Sequence, residues 1–283
     1  MKKIIPLIAL LIVSCGNKAV NEVKNDTASH KIVSINGSIS EILVEFGLEN
    51  DLVGVDKTST YPLTLKNKAQ IGNAHSINLE QIISLQPTVV LSLNERGLKP
   101  EQAEQLRQVG IKVNFYDLES NTASTEKLIK DLGNEFKKEA EANALVENLH
   151  NDLKNIPAID PETKVLFIYA RGAGAVQAAG DNTAMTEMIK LAGAKSATEG
   201  QFEGFKALTP EALLDANPDY ILLFNTGFES LNGEAGLMEI PGMNKTTAGK
   251  NKRFITMDGQ YLSGFGPRVG KAAIDLANAL KAE

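Results

Sequence analysis

The chain has 283 residues, 43% hydrophobic and 23% charged, with a formal net charge of −6. That composition suits one large or two ordinary domains and excludes disorder or coiled coil as a reading of the whole chain. No Lys/Arg block marks a nucleic-acid surface, the single cysteine excludes an internal disulfide or a CxxC site, and three histidines argue against a multi-histidine catalytic metal centre.

At the amino terminus Lys2 and Lys3 precede an apolar run from Ile4 to Val13, about ten residues long. A membrane span needs roughly twenty, so residues 1–14 are predicted to be a signal peptide. Ile12-Val13-Ser14-Cys15-Gly16 resembles a bacterial lipobox, which implies a lipid on Cys15 and cleavage before it. Residues 15–29 then read as the lipidated cysteine and a polar, aperiodic tether. A lipid and a tether hold a folded module beside a membrane rather than in it.

After the tether, short apolar strands alternate with amphipathic helices, the signature of a parallel α/β sheet. Strands are predicted at Ile32–Ile35, Leu52–Val55, Thr88–Leu93 and Lys112–Tyr116, and again at Lys164–Tyr169, Tyr220–Phe224 and Phe254–Met257. Ser38 and Glu41 have the spacing of a capping box for a helix ending at Gly47. Between the halves, Leu128, Leu132, Phe136, Ala140, Ala144, Leu145, Leu149 and Leu153 recur at helical spacing. They predict one helix over 123–155, about 45–50 Å long, as a strut between two lobes. The domains are therefore expected at 30–122, 123–156 and 157–283. Asn78 to Pro87 and Thr209 to Pro218 repeat one pattern: a cap residue, a Glu two later, an apolar face, and a Pro before a β run. The repeat predicts that the lobes are related units with equivalent surfaces. Gly172-Ala173-Gly174 and Gly264-Phe265-Gly266 follow predicted strands, where ligands gather in open α/β sheets. They suit either tight turns or close backbone approach to a ligand.

Six stretches carry a resemblance: VGVDKTSTYP (53–62), YARGAGAVQAAGDNTAMTEMIKLAGA (169–194), FEGFKALTPEAL (202–213), TGFESLNGEAGL (226–237), IPGM (240–243) and MDGQYLSGFGPR (257–268). Residues 31–283 resemble the haem-binding members of the periplasmic substrate-binding proteins that feed ABC importers. That helical-backbone class also holds corrinoid and ferric-siderophore binders. The resemblance implies an α/β fold of two Rossmann-like lobes with parallel sheets, joined by a long backbone helix, with the ligand in the cleft. It implies a monomeric, lipid-anchored protein on the periplasmic side of the envelope that captures haem and delivers it to a permease and its ATPase. The alternative is a corrinoid or ferric siderophore in the same architecture.

In that family a Tyr phenolate from a Gly-Tyr-x-Arg stretch binds ferric iron. Here the stretch reads Gly72-Asn73-Ala74-His75, so the iron donor is expected to be His75, Tyr61 or both. Imidazole nitrogen and phenolate oxygen are both competent on haem iron. Arg171 and Arg268 are the candidates to meet the haem propionates, since Arg pairs with carboxylates bidentately. The resemblance further implies that Glu80 and Glu211, one on each lobe, dock into permease arginines. No enzyme is expected: G-x-S-x-G, H-E-x-x-H and G-x-x-x-x-G-K-[ST] are absent from the sequence.

Overall fold

The computed structural model describes residues 30–73, 76–94, 97–172 and 174–281; the signal segment, Cys15, the tether and His75 lie outside them. In chain order the first lobe runs Ile32–Ile35 (β1), Gly37–Glu45 (α1), Leu52–Val55 (β2), Ala69–Gln70 (β3), Gly72–Asn73 (β4), Ser76–Ile77 (β5), Leu79–Ser84 (α2), Val89–Leu93 (β6), Pro100–Gln108 (α3) and Lys112–Tyr116 (β7). Five strands form one parallel sheet in the order β3-β2-β1-β6-β7. β1 and β6 are buried along their whole length, Ser34 and Ser92 included, because helices cover both sheet faces.

Thr122–Phe136 (α4) and Glu139–Lys154 (α5) link this lobe to the second. The second lobe runs Lys164–Ala170 (β8), Val176–Ala179 (β9), Ala184–Leu191 (α6), Lys195–Ser196 (β10), Phe205–Ala207 (β11), Pro210–Ala216 (α7), Tyr220–Phe224 (β12), Asn225–Ser230 (α8), Gly233–Met238 (α9), Thr247–Asn251 (α10), Phe254–Met257 (β13), Gly259–Ser263 (α11) and Val269–Lys281 (α12). β8, β12 and β13 are parallel, as the sequence suggests, but β9 and β11 join antiparallel. The cause is a tight turn: Arg171 N–H donates to Ala175 O at 3.1 Å and Ala175 N–H to Gly172 O at 3.2 Å. Gly172 takes a φ of 79° there. Gly172 thus serves a hairpin turn between β8 and β9.

The interlobe link is helical, but it is two helices and not one. Lys137 adopts a left-handed φ of 54° and caps α4, and α5 folds back beside it. His150 Nε2 consequently sits 2.9 Å from Glu126 Oε2, where a straight helix would hold residues that far apart at about 36 Å. A Cβ on Gly133 would lie 2.5 Å from the Ala142 Cβ, so glycine permits the close crossing. α5 is the backbone proper: Ala142 and Val146 belong to the first lobe's core, and Leu149 to the second's.

The cap of α1 also differs from the expected box. Asn36 Oδ1 accepts from Ser38 N–H at 2.9 Å and Ile39 N–H at 3.2 Å. That frees Ser38 and Glu41 to face the other lobe. Ser38 Oγ donates to Gly264 O at 2.7 Å and accepts from Gln260 Nε2 at 3.0 Å. Thr125 Oγ1 donates to Phe265 O at 2.7 Å. The MDGQYLSGFGPR stretch therefore forms the seam between lobes.

Candidate functional site

Strand order reverses between β1 and β6 in the first lobe, and at β8 in the second, which opens a crevice at the carboxyl ends of those strands. Three contiguous volumes fill the crevice. One of about 620 Å³ lies against the first lobe, lined by Asn36, Asp56, Thr58, Asn94, Lys99 and Gln260 among others. A middle one of about 430 Å³ shares Asn94 and Leu118 with it. The third, about 440 Å³, lies against the second lobe and shares Asn182 with the middle one.

The two walls differ in chemistry. Asp56 is 2% exposed on the first-lobe floor and accepts hydrogen bonds from Thr58 Oγ1 at 2.8 Å and Ser59 Oγ at 2.9 Å. Burial pushes its carboxyl above the usual range, against those hydrogen bonds. The second-lobe wall is aromatic. Tyr169, at the end of β8, lines it with Phe205, Phe224 and Met185. Phe205 is exposed, its ring 5.9 Å from Tyr169's. β11 holds it there through the antiparallel pairing with β9.

Arg171 follows Tyr169 two residues on, so both side chains lie on one side of the strand's end. Its Nε donates to Tyr169 Oη at 2.7 Å, and its Cζ stands 5.3 Å from that ring. One lone pair of the phenol oxygen is thereby used, and one remains. A positive guanidinium beside that oxygen would balance the charge of a metal-bound phenolate. The sequence contains this pair in plain view as Tyr-Ala-Arg, but the tyrosine reads there as the end of a strand.

Arg268, expected to meet a propionate, meets a carboxylate of the protein itself. Its Nε and Nη2 pair with Glu41, the latter at 3.1 Å to Oε2. The guanidinium lies between two rings, 3.7 Å from the Tyr61 centroid and 4.7 Å from Tyr261's. Burial drives Tyr261 above its ordinary pKa, and the Asp275 carboxylate that its hydroxyl meets at 2.8 Å adds to this. Tyr61 is 41% exposed and is not among the residues lining the three volumes. His75 falls between β4 and β5, outside the described residues. Glu80 and Glu211 are exposed, each the second residue of its helix.

Residues 32–261 match the family model for periplasmic binding proteins. The chain is 28% identical to the uncharacterized ABC transporter substrate-binding lipoprotein YvrC of Bacillus subtilis (strain 168), over 97% of this chain and 94% of that one. It resembles the periplasmic heme-binding protein RhuT from Roseiflexus sp. RS-1 (apo form) at 34% identity and a TM-score of 0.84, over 89% of this chain and 98% of RhuT. For the periplasmic heme-binding protein BhuT in complex with two hemes, identity is 30% and the TM-score 0.83, over 89% and 97%. Two lobes, a helical backbone, a crevice at the strand ends and this match over most of the chain place the protein in the periplasmic binding protein family, as a substrate-binding protein of an ABC transporter and not an enzyme.

Proposed function

We propose that the crevice takes haem and that the protein hands it to an ABC permease. The observation that carries this reading is the second-lobe wall: a phenol oxygen held by Arg171, flanked by the exposed face of Phe205. A phenolate is a hard donor suited to ferric iron, and an aromatic face stacks on a flat macrocycle. The heme-binding neighbours RhuT and BhuT support the same cargo. Tyr169 would supply the iron ligand from the second lobe, with Arg171 serving that oxygen in place of a propionate. His75 remains the first-lobe donor candidate, while Tyr61 belongs with the seam. Titrating the purified protein with haemin should produce a saturable, shifted Soret band. Titration with cobalamin should leave the protein unloaded.

A second reading rests on the opposite wall. Asn36, Asp56, Thr58, Asn94 and Lys99 offer hydrogen bonds rather than apolar contact, which suits the polar periphery of a corrinoid or a ferric siderophore. Loading with cobalamin or a ferric hydroxamate, and none with haemin, would establish it instead.

Delivery requires that the protein stay near its membrane partner, and the lipobox-like run ending at Cys15 fits that need. Cys15→Ser is expected to abolish metabolic labelling with palmitate while leaving ligand binding intact, because the cysteine precedes the tether. Unchanged labelling would rule out the anchor. Glu80 and Glu211 are the docking carboxylates in this reading, and the partner's ATPase provides the energy for import.

A further inference from the structure

The first-lobe floor holds a buried carboxyl that iron ligation does not use. Asp56 ends a chain of hydroxyls that runs from the crevice to the start of α1. Thr58 Oγ1 donates to Asp56 Oδ2 at 2.8 Å, and Ser59 Oγ meets Oδ1 at 2.9 Å. Ser59 Oγ meets Ser40 Oγ at 2.7 Å, Ser40 Oγ meets Ser34 Oγ at 2.8 Å, and Ser34 Oγ meets Asn36 O at 3.2 Å. Ser34, Ser40 and Ser59 are all buried. Four hydroxyls bring one proton each to these five contacts, so with Asp56 ionised one contact has no hydrogen to share. The serine hydroxyls then point along the chain toward the carboxylate, and Ser34 has none left for Asn36 O. With Asp56 neutral, its own proton is the fifth. Oδ1 donates to Ser59, each serine hydroxyl turns the other way, and the chain ends on the Asn36 carbonyl with every contact filled. Thr58 donates to Oδ2 in both states.

We propose that Asp56 takes up a proton when cargo is loaded, charged before and neutral after, with the serine chain reversing to receive it. The inference rests on the haem reading above and adds the proton that enters with the cargo. In the empty crevice burial already holds this carboxyl above its ordinary range, against the hydrogen bonds of Thr58 and Ser59. Among the described residues Asp56 makes no ion pair. Lys99 is the only cation among the described residues that line the three volumes, against Asp117, Glu119 and Glu187. Lys57, next to Asp56 in the chain, is exposed, and Glu41 is engaged by Arg268 at the seam. Haem brings two carboxylates into this acidic crevice and displaces water from the floor. Added negative charge and lost water both disfavour a carboxylate and favour the neutral acid.

The test compares the full chain with Asp56→Asn, which is neutral at every pH. Haemin affinity is read from the Soret band between about pH 5 and pH 9. Phenol ligation and the haem carboxylates exchange protons too, so the reading is the ratio of the two dissociation constants. That ratio should be about one at the acid end and rise with pH until the parent binds at least about tenfold more weakly, tenfold for each unit by which loading raises the carboxyl. In weakly buffered solution on the rising part, the parent should take up more protons than the variant, by up to about one per haem. Ser40→Ala keeps the carboxyl and tests the chain without any change at Asp56. The Ser59 proton is then left with only Asp56 to meet, which favours the ionised form. The fall in affinity with rising pH should therefore begin about half to one pH unit lower than in the parent. A flat ratio, with both proteins loading haemin, would overturn the proton uptake and leave the haem reading standing. A Ser40→Ala profile superimposed on the parent's would overturn the part of the chain. A parent that shows no shifted Soret band at any pH would overturn the haem reading and the uptake together.

Discussion

Arg268→Ala is expected to destabilise the protein by about 3–5 kcal/mol, because it leaves a buried charge without its partner. The Glu41 side chain is only 3% exposed, and Arg268 is its sole ion-pair partner among the described residues. An exposed pair would be worth about 0–1 kcal/mol, so urea denaturation separates the two cases clearly. Changing both residues to leucine should recover most of the loss, since an apolar pair of similar volume has no charge to desolvate. The pH dependence gives an independent readout. Burial raises the Glu41 carboxyl above its ordinary 4.5, and the hydrogen bond and charge of Arg268 oppose this. A carboxyl raised in the folded state still holds a proton there after the unfolded chain has released it. Stability therefore falls as pH rises above that ordinary value. Without Arg268 the opposing influence is gone, so the variant's deficit should widen from pH 5 to pH 8. A loss below about 1 kcal/mol, flat with pH, would show that the pair does not clamp the seam.

Tyr169→Phe is expected to have the largest effect on cargo. It keeps the ring beside Phe205 and removes only the oxygen, so a loss reports on ligation and not on packing. Haemin affinity should fall by at least about 10–100-fold, the range for losing even a residue that supports a metal ligand. The iron–phenolate charge-transfer absorption should vanish with it. Arg171→Leu, with the phenol intact, should weaken binding about 10–100-fold and shift that absorption, because Nε no longer holds the oxygen. Tyr61→Phe should change affinity little, since the ring is engaged by Arg268. The opposite pattern, a silent Tyr169→Phe with a large loss in Tyr61→Phe and His75→Ala combined, would return the donor to the first lobe.

Much of the fold was legible because local patterns dictate it. Val89–Leu93 and Tyr220–Phe224 are short apolar runs between turn signals, and they are central strands. Asn78 and Thr209 cap their helices as the repeat suggests. The failures share a different cause. No Gly or Pro marks the break at Lys137, and the helical period runs through it; the return shows only in three dimensions, in the packing of Gly133 on Ala142 and of His150 on Glu126. Glu41 has a local partner in Ser38 by spacing, yet its actual partner lies 227 residues away. Spacing alone therefore does not show the ion pair that Arg268 makes. Tyr169 carries no local signal of a role beyond a strand end. Its oxygen gains chemistry only from where the β8–β9 turn places Arg171 and where β11 places Phe205.

The lobes are uninterrupted in the chain: the first sheet is complete at Tyr116, and the second begins at Lys164. A growing polypeptide can therefore finish its first lobe before the second has been made, as domains generally fold as units from the amino terminus. What that early lobe cannot finish is its side of the seam. Until Gly264, Phe265 and Arg268 are synthesised, Ser38, Thr125 and Glu41 have no partners across it and stay solvated. Helix α12 follows Arg268 directly and packs on α5. The same delay holds for apolar surface, because Leu149 of α5 packs in the second lobe's core and is covered only once that lobe is made.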